Sequence, residues 1–162
     1  MGKEQPIEVF MPPNILKAKV GGAGGLDISA VKRAEQAVEE LKEEFTGWIV
    51  EDVDRLFATR NAYSAARSAD TLGTLYRAAH DLKGQGTTFD FPLVARIAAS
   101  LCKMTDVEGA GEKLPISLID AHVNAIKVVV RDGIKDPKNP MATALTTELE
   151  RQVAEFLKSA PA

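Results

Sequence analysis

Leu75-Tyr76-Arg77-Ala78-Ala79-His80-Asp81-Leu82-Lys83-Gly84-Gln85-Gly86-Thr87-Thr88-Phe89 is the stretch on which the fold turns. With one more turn upstream, apolar residues recur at Leu72, Leu75, Tyr76, Ala79 and Leu82. Steps of three and four put them on one face of an α-helix, expected over about Asp70 to Thr87. His80 follows Ala79 by about 100° of helical rotation, so it stands at the border of the buried face. Lys83 and Gly84 lie three and four residues further on, the two spacings that share a helical surface with His80, and Arg77 and Thr87 extend the same stripe. A glycine inside a helix costs roughly 1 kcal/mol relative to alanine, so Gly84 needs a reason. One turn from His80, it removes a side chain that would cover the imidazole. Lys83 adds a mobile cation. The group reads as an approachable imidazole with a positive charge placed for an anion.

Working outward, the chain turns at Thr88-Phe89-Asp90 and enters a helix from about Phe91 to Thr105, apolar at Leu93, Val94, Ile97, Ala98, Leu101 and Met104. Asp90 is the expected cap of that helix, and Pro92 suits its first turn. After a glycine-containing loop, a helix is expected over Ile116 to Arg131 through Ile119, Val123, Ile126 and Val130, closed by Asp132-Gly133. Asn139-Pro140 opens a last helix, with its apolar face at Met141, Leu145, Leu149, Val153 and Phe156.

Upstream of the opening stretch, Asp27 or Ser29 can cap a first helix. Its seam runs Val31, Ala34, Val38, Leu41, Phe45, Trp48, then shifts to Ile49, Val53, Leu56 and Phe57. The helix either continues through Gly47 with a change of face or breaks there. The first part of the seam packs on its own domain in the favoured reading and on a second copy, as a homodimer, in the other. Asn61 to Asp70 reads as a polar connection. Residues 1–26 read as a flexible arm, since Gly21-Gly22-Ala23-Gly24-Gly25 lacks the Gly-Lys-Ser/Thr ending of a phosphate-binding loop. No alternating strand pattern competes. The expected fold is all-α: an up-down antiparallel four-helix bundle over about residues 46–132, with extra N-terminal and C-terminal helices, in one domain spanning residues 27–162.

Composition narrows the function. The net charge of −3 lacks the basic excess of a nucleic-acid binder. No apolar run is long enough to span a bilayer, and the first residues lack the apolar core of a signal peptide, so no membrane partner is expected. A single cysteine, Cys102, cannot form an internal disulfide, and the expected location is the reducing cytoplasm.

Ala79-His80-Asp81-Leu82-Lys83-Gly84, followed by Phe89 and the helix through Leu93 to Cys102, resembles the signature of histidine-containing phosphotransfer (HPt) domains. The motif covers about a sixth of the chain. The sequence departs from the family at Asp90, where a glycine is usual. The resemblance implies a phosphorelay intermediate. His80 would accept a phosphoryl group from a receiver-domain aspartate and pass it back or onward. Lys83 would stabilise the phosphoryl oxygens, Gly84 would give access, and Gln85, Arg77 and Thr87 would lend support. Its partners would be response-regulator receiver domains and a hybrid or separate histidine kinase. The chain would need no cofactor of its own, with Mg²⁺ held in the receiver. It would lack autonomous kinase activity.

Bland readings stand beside these. His122, between Ala121 and Val123 with no Lys-Gly partner, reads as a partly buried structural residue, and Cys102 as a small core residue. His80, His122 and Cys102 lack the paired spacing of zinc motifs, so no metal site is expected. Arg77, Arg96 and Lys103 are either solvated charges or a ring around His80 that complements an acidic partner. Two other functions compete. One is a non-catalytic helical adaptor or dimerisation module that binds a signalling regulator. The other is a phosphoacceptor domain served in trans by a histidine kinase.

Overall fold

The computed structural model describes residues 27–109 and 113–160. The expected flexible arm over residues 1–26 lies outside the described residues. Five helices account for most of what is described: α1 (Ile28–Ala65), α2 (Ala69–Thr88), α3 (Pro92–Thr105), α4 (Ile116–Arg131) and α5 (Pro140–Ser159). Among the described residues there is no strand, and the protein is all-α. No helix among them is long and apolar enough to cross a membrane. The described residues fall into two compact units, with the boundary between Lys42 and Glu43.

The capping at each start explains where the helices begin. The Ser29 backbone N–H donates to Asp27 Oδ1 at 3.0 Å, so Asp27 is the cap of α1. Ser68 opens α2 with a reciprocal pair: its Oγ accepts from the Thr71 N–H at 3.2 Å, and Thr71 Oγ1 accepts from the Ser68 N–H at 3.1 Å. Asn139 caps α5 through the Ala142 N–H at 3.1 Å, with Pro140 at the first helical position as expected.

In the first unit, α1 presents Val31, Val38 and Leu41 at 36%, 51% and 49% exposure. α1 does not break at Gly47, and a Cβ there would meet nothing within 4 Å.

In the second unit, α1 buries Ile49, Val53, Leu56 and Tyr63. That stripe continues the helical period through the small-residue run, so α1 extends to Ala65 and the connection to α2 shrinks to residues 66–68. Phe57, expected in the core, lies at the surface with the Lys127 ammonium 4.3 Å above its ring. Trp48 meets Phe89, just past the end of α2, edge-on at 6.0 Å, so α1 and α2 run antiparallel. Arg60 forks onto Asp120 of α4, with Nη2 donating to Oδ2 at 2.7 Å.

The expected core positions of α3 and α4 are all buried. The face of α5 is the expected one at Leu149, Val153 and Phe156, and departs from it in the first two turns. Met141 (81% exposed) and Leu145 (40%) face outward, while Ala142, Thr146, Leu149 and Val153 are buried. The reason is a small, satisfied residue: Thr146 Oγ1 donates to the Ala142 carbonyl at 2.7 Å, so its hydroxyl enters the core at little cost.

His122 is fully buried rather than partly so, and both ring nitrogens are engaged. Nδ1 lies 2.7 Å from the Leu118 carbonyl and Nε2 lies 3.0 Å from Ser100 Oγ. A carbonyl only accepts, so Nδ1 carries the proton and Nε2 accepts from the Ser100 hydroxyl in the neutral ring. Burial pushes the His122 pKa below its ordinary value, partly offset by the Leu118 carbonyl. The unfolded chain then binds a proton near pH 6.5 that the folded chain refuses. Stability is full above that pH and falls as the pH drops below it. Urea unfolding midpoints at pH 7.5 and 5.5 test this. The wild type should lose more over that interval than His122→Gln, and equal losses would show that His122 is not the titrating group.

Candidate functional site

α2 has two faces with different tasks. Leu72, Leu75, Ala78, Ala79, Leu82 and Gly86 are buried. His80, Lys83, Gly84, Arg77 and Thr87 are exposed, and Gln85 is half-buried. The sequence expectation that His80 borders the core is met: Ala79 is fully buried and its neighbour is open to solvent. The His80 ring stands 5.9 Å from the Tyr76 ring, tilted by 32°. Tyr76 is one turn back and half-buried, so it forms a fixed side wall for a ring that is otherwise exposed. The Arg77 guanidinium donates to Thr74 Oγ1 at 3.3 Å, back toward the start of the helix. An open cleft lined by Leu72, Gly73, Tyr76 and Thr105 ends at Tyr76 and is not lined by His80.

Charge differs on the two sides of this face. On the α1 side, burial raises the pKa of Asp52. Arg55, which donates to it at 3.1 Å, offsets part of that rise, and the negative charges of Asp81 and Glu51 add to it. Asp81 and Asp52 therefore feel each other across α1 and α2. On the α3 side, burial pushes the Cys102 thiol up to about 11, with the Lys83 charge drawing it down and Asp106 adding to the rise. Lys83, exposed on α2, thus adds positive charge on the flank that faces α3. Cys102 is buried and protonated at neutral pH, which fits the reading of a core residue. Arg96 is held by Glu150 of α5, at 3.0 and 2.7 Å, and lines the α3–α5 groove with Lys103. Of the three cations expected to ring His80, Arg96 and Lys103 thus line the α3–α5 groove, and Arg77 is the one that shares α2 with His80.

The turn after α2 corrects one expectation. Asp90 does not cap α3; Phe91 occupies that position without a side-chain cap. Asp90 instead closes α2. Its φ is 63°, the Phe91 N–H donates to the Gly86 carbonyl at 2.7 Å, and the Asp90 N–H reaches the Thr87 carbonyl at 3.4 Å. This is a left-handed helix stop, in which glycine is the default and aspartate among the tolerated substitutes. Gly133 closes α4 in the same way at φ 63°.

Sequence reasoning missed Gly86. A Cβ there would sit 2.7 Å from the Ala95 backbone nitrogen and 3.1 Å from the Phe91 carbonyl oxygen. α3 can therefore approach α2 this closely only over a glycine. The only signal was a second glycine two residues after Gly84. Gly84 itself is the opposite case, because a Cβ there would meet nothing within 4 Å. Gly47 and Gly73 share that openness, so what distinguishes Gly84 is its place one turn from an exposed imidazole.

Two pairs of variants follow from these distances. Gly84→Ala should raise stability by up to about 1 kcal/mol through helix propensity, whereas Gly86→Ala should lower it by about 1–3 kcal/mol through overpacking. Asp90→Gly should raise stability by roughly 1 kcal/mol by relieving the left-handed backbone, and Asp90→Ala should not. Chemical denaturation measures all four, and a Gly86→Ala protein as stable as wild type would refute the close approach.

No family model, curated protein or solved structure matches the chain, so His80 and its neighbours must carry the case for function themselves.

Proposed function

We propose that the chain is a phosphoryl carrier of a histidine–aspartate relay, acting in the cytoplasm between receiver domains and a hybrid or separate histidine kinase. One observation carries this reading. An exposed imidazole stands on a helix anchored by a fully buried face, with a lysine three residues on and bare glycine backbone four residues on. The left-handed φ of Asp90 adds support, since HPt domains usually carry glycine at that position. In the same reading, α1 to α4 form the up-down antiparallel four-helix bundle of about residues 46–132. The start of α1 and the whole of α5 are the extra helices at either end.

The chemistry asks little of the chain beyond position and charge. The unprotonated ring nitrogen of His80 attacks the phosphorus of an aspartyl phosphate. A nitrogen–phosphorus bond forms as the phosphorus–oxygen bond to the aspartate breaks, and the electron pair returns to that carboxylate. The reverse step moves the group to another receiver. Tyr76 limits how the ring can turn. Lys83 faces the equatorial phosphoryl oxygens, where a cation counts most once docking excludes water. Gly84 lets the receiver's backbone come close. Mg²⁺ belongs to the receiver. Gln85 and Thr87 sit toward the end of α2 as secondary contacts.

Incubation with a panel of phosphorylated receiver domains tests the proposal. Wild type should take up acid-labile phosphate, and His80→Gln should take up none while keeping its fold. Lys83→Ala should slow transfer by about 10–100-fold. A folded wild type that takes phosphate from neither receivers nor a kinase domain would leave the adaptor reading in its place.

A further inference from the structure

α2 carries one more glycine that neither packing nor backbone explains. Gly73 lies inside the helix, where glycine weakens the helical state, and a Cβ there would meet nothing within 4 Å. Its surroundings set it apart from Gly47, because it lines the open cleft between the start of α2 and the end of α3. The cleft has a volume of about 480 Å³. Leu72 and Tyr76 line it from α2, and Thr105 and Val107 line it from α3 and the residues just after. The Thr105 hydroxyl is engaged by the Leu101 carbonyl at 2.9 Å, so it adds little polarity. Asp106 and Lys113 bring one charge of each sign.

The cleft belongs to the same face as His80. Gly73, Tyr76, His80 and Lys83 follow at steps of three, four and three, which is one stripe of a helix. Gly73 precedes His80 by about 10 Å along the axis. The Tyr76 ring joins the two places: it walls the cleft and stands 5.9 Å from the imidazole. A stable interface covers about 800 Å² on each partner, a disc of roughly 16 Å radius. A receiver centred on His80 therefore covers the cleft as well.

The lining decides what enters. With an anion and a cation both present, the cleft favours neither an acidic nor a basic side chain, and a charged head would lose water for little return. An aliphatic or aromatic side chain instead gains burial against Leu72, Tyr76 and Val107. The bare backbone at Gly73 gives it the room to reach the floor.

We propose that the cleft over Gly73 is the pocket by which this carrier selects its receivers, taking one apolar side chain that the receiver presents about 10 Å from its phosphorylated aspartate. The inference rests on the relay reading of His80 and adds a feature that the partner must have.

Transfer kinetics with phosphorylated receivers test it. For a receiver that labels the wild type, Gly73→Leu should raise the receiver concentration at half-maximal rate by about tenfold or more. The rate at saturation should stay within about twofold, as expected when docking alone is lost. Gly73→Ala adds one methyl group and should raise the half-maximal concentration by less than about threefold. Both variants should keep their helical circular dichroism, since a Cβ there has open space. Saturating receiver should also protect Gly73→Cys from alkylation by iodoacetamide, with the buried Cys102 adding little background. A Gly73→Leu protein with the wild-type half-maximal concentration, or one that loses only its saturated rate, would overturn the inference and leave the relay in place. Alkylation of Gly73→Cys at the same rate with and without receiver would do the same. A wild type that no receiver labels would remove the relay reading and this pocket with it.

Discussion

The contact at Gly86 sets the geometry of the candidate site. Because that residue has no Cβ, the backbone of Phe91 to Ala95 can lie directly on α2. The same carbonyl that ends α2 accepts the Phe91 N–H at 2.7 Å. One residue therefore stops a helix, reverses the chain and docks the next helix. This fixes which way α2 faces. Once Gly86, Leu82, Ala79 and Leu75 are committed to the interior, rotation by one residue carries His80 outward, and Lys83 and Gly84 must share its surface. Two glycines two residues apart thus act on opposite sides of one helix, the first turned to solvent and the second to the neighbouring backbone.

The asymmetry of charge around the exposed face follows from its two neighbours. α1 contributes Asp52, half-screened by Arg55, beside Asp81. α3 contributes the buried thiol of Cys102, a neutral group, whose pKa the Lys83 charge lowers in part. The exposed face therefore carries acid on one flank of His80 and a cation on the other. Tyr76 breaks the symmetry further by walling the imidazole on the side toward the start of α2.

Most of the helices were legible because their periodicity is strong. The expected limits of α4, Ile116 to Arg131, are those observed, and the core positions of α3 were read one by one from apolar spacing. His80 was placed at the border of the core by counting 100° from Ala79. What was not legible depended on neighbours or on backbone angles that side-chain pattern does not report. Asp90 has the composition of a cap, and only its φ of 63° shows that it ends one helix instead of starting the next. Gly86 looks like Gly84 in sequence, and only the position of Ala95 separates them. On α5, Met141 and Leu145 fit an apolar stripe, but Ala142 and Thr146 form the closer packing surface because they are small. α1 outran its expected end because Tyr63, an aromatic amid small polar residues, extends the buried stripe by two turns.

The Ser100–His122–Leu118 chain has a consequence for how the interior recognises its own alignment. An all-aliphatic contact between α3 and α4 would tolerate a slip of one turn, since leucine, isoleucine and valine exchange places with small changes in volume. Such a slip here would strand an imidazole nitrogen and a hydroxyl in a dry interior, each without its mate. The pair therefore works as a key between two helices. It adds little to the depth of the native minimum and much to its distance from the nearest misaligned one.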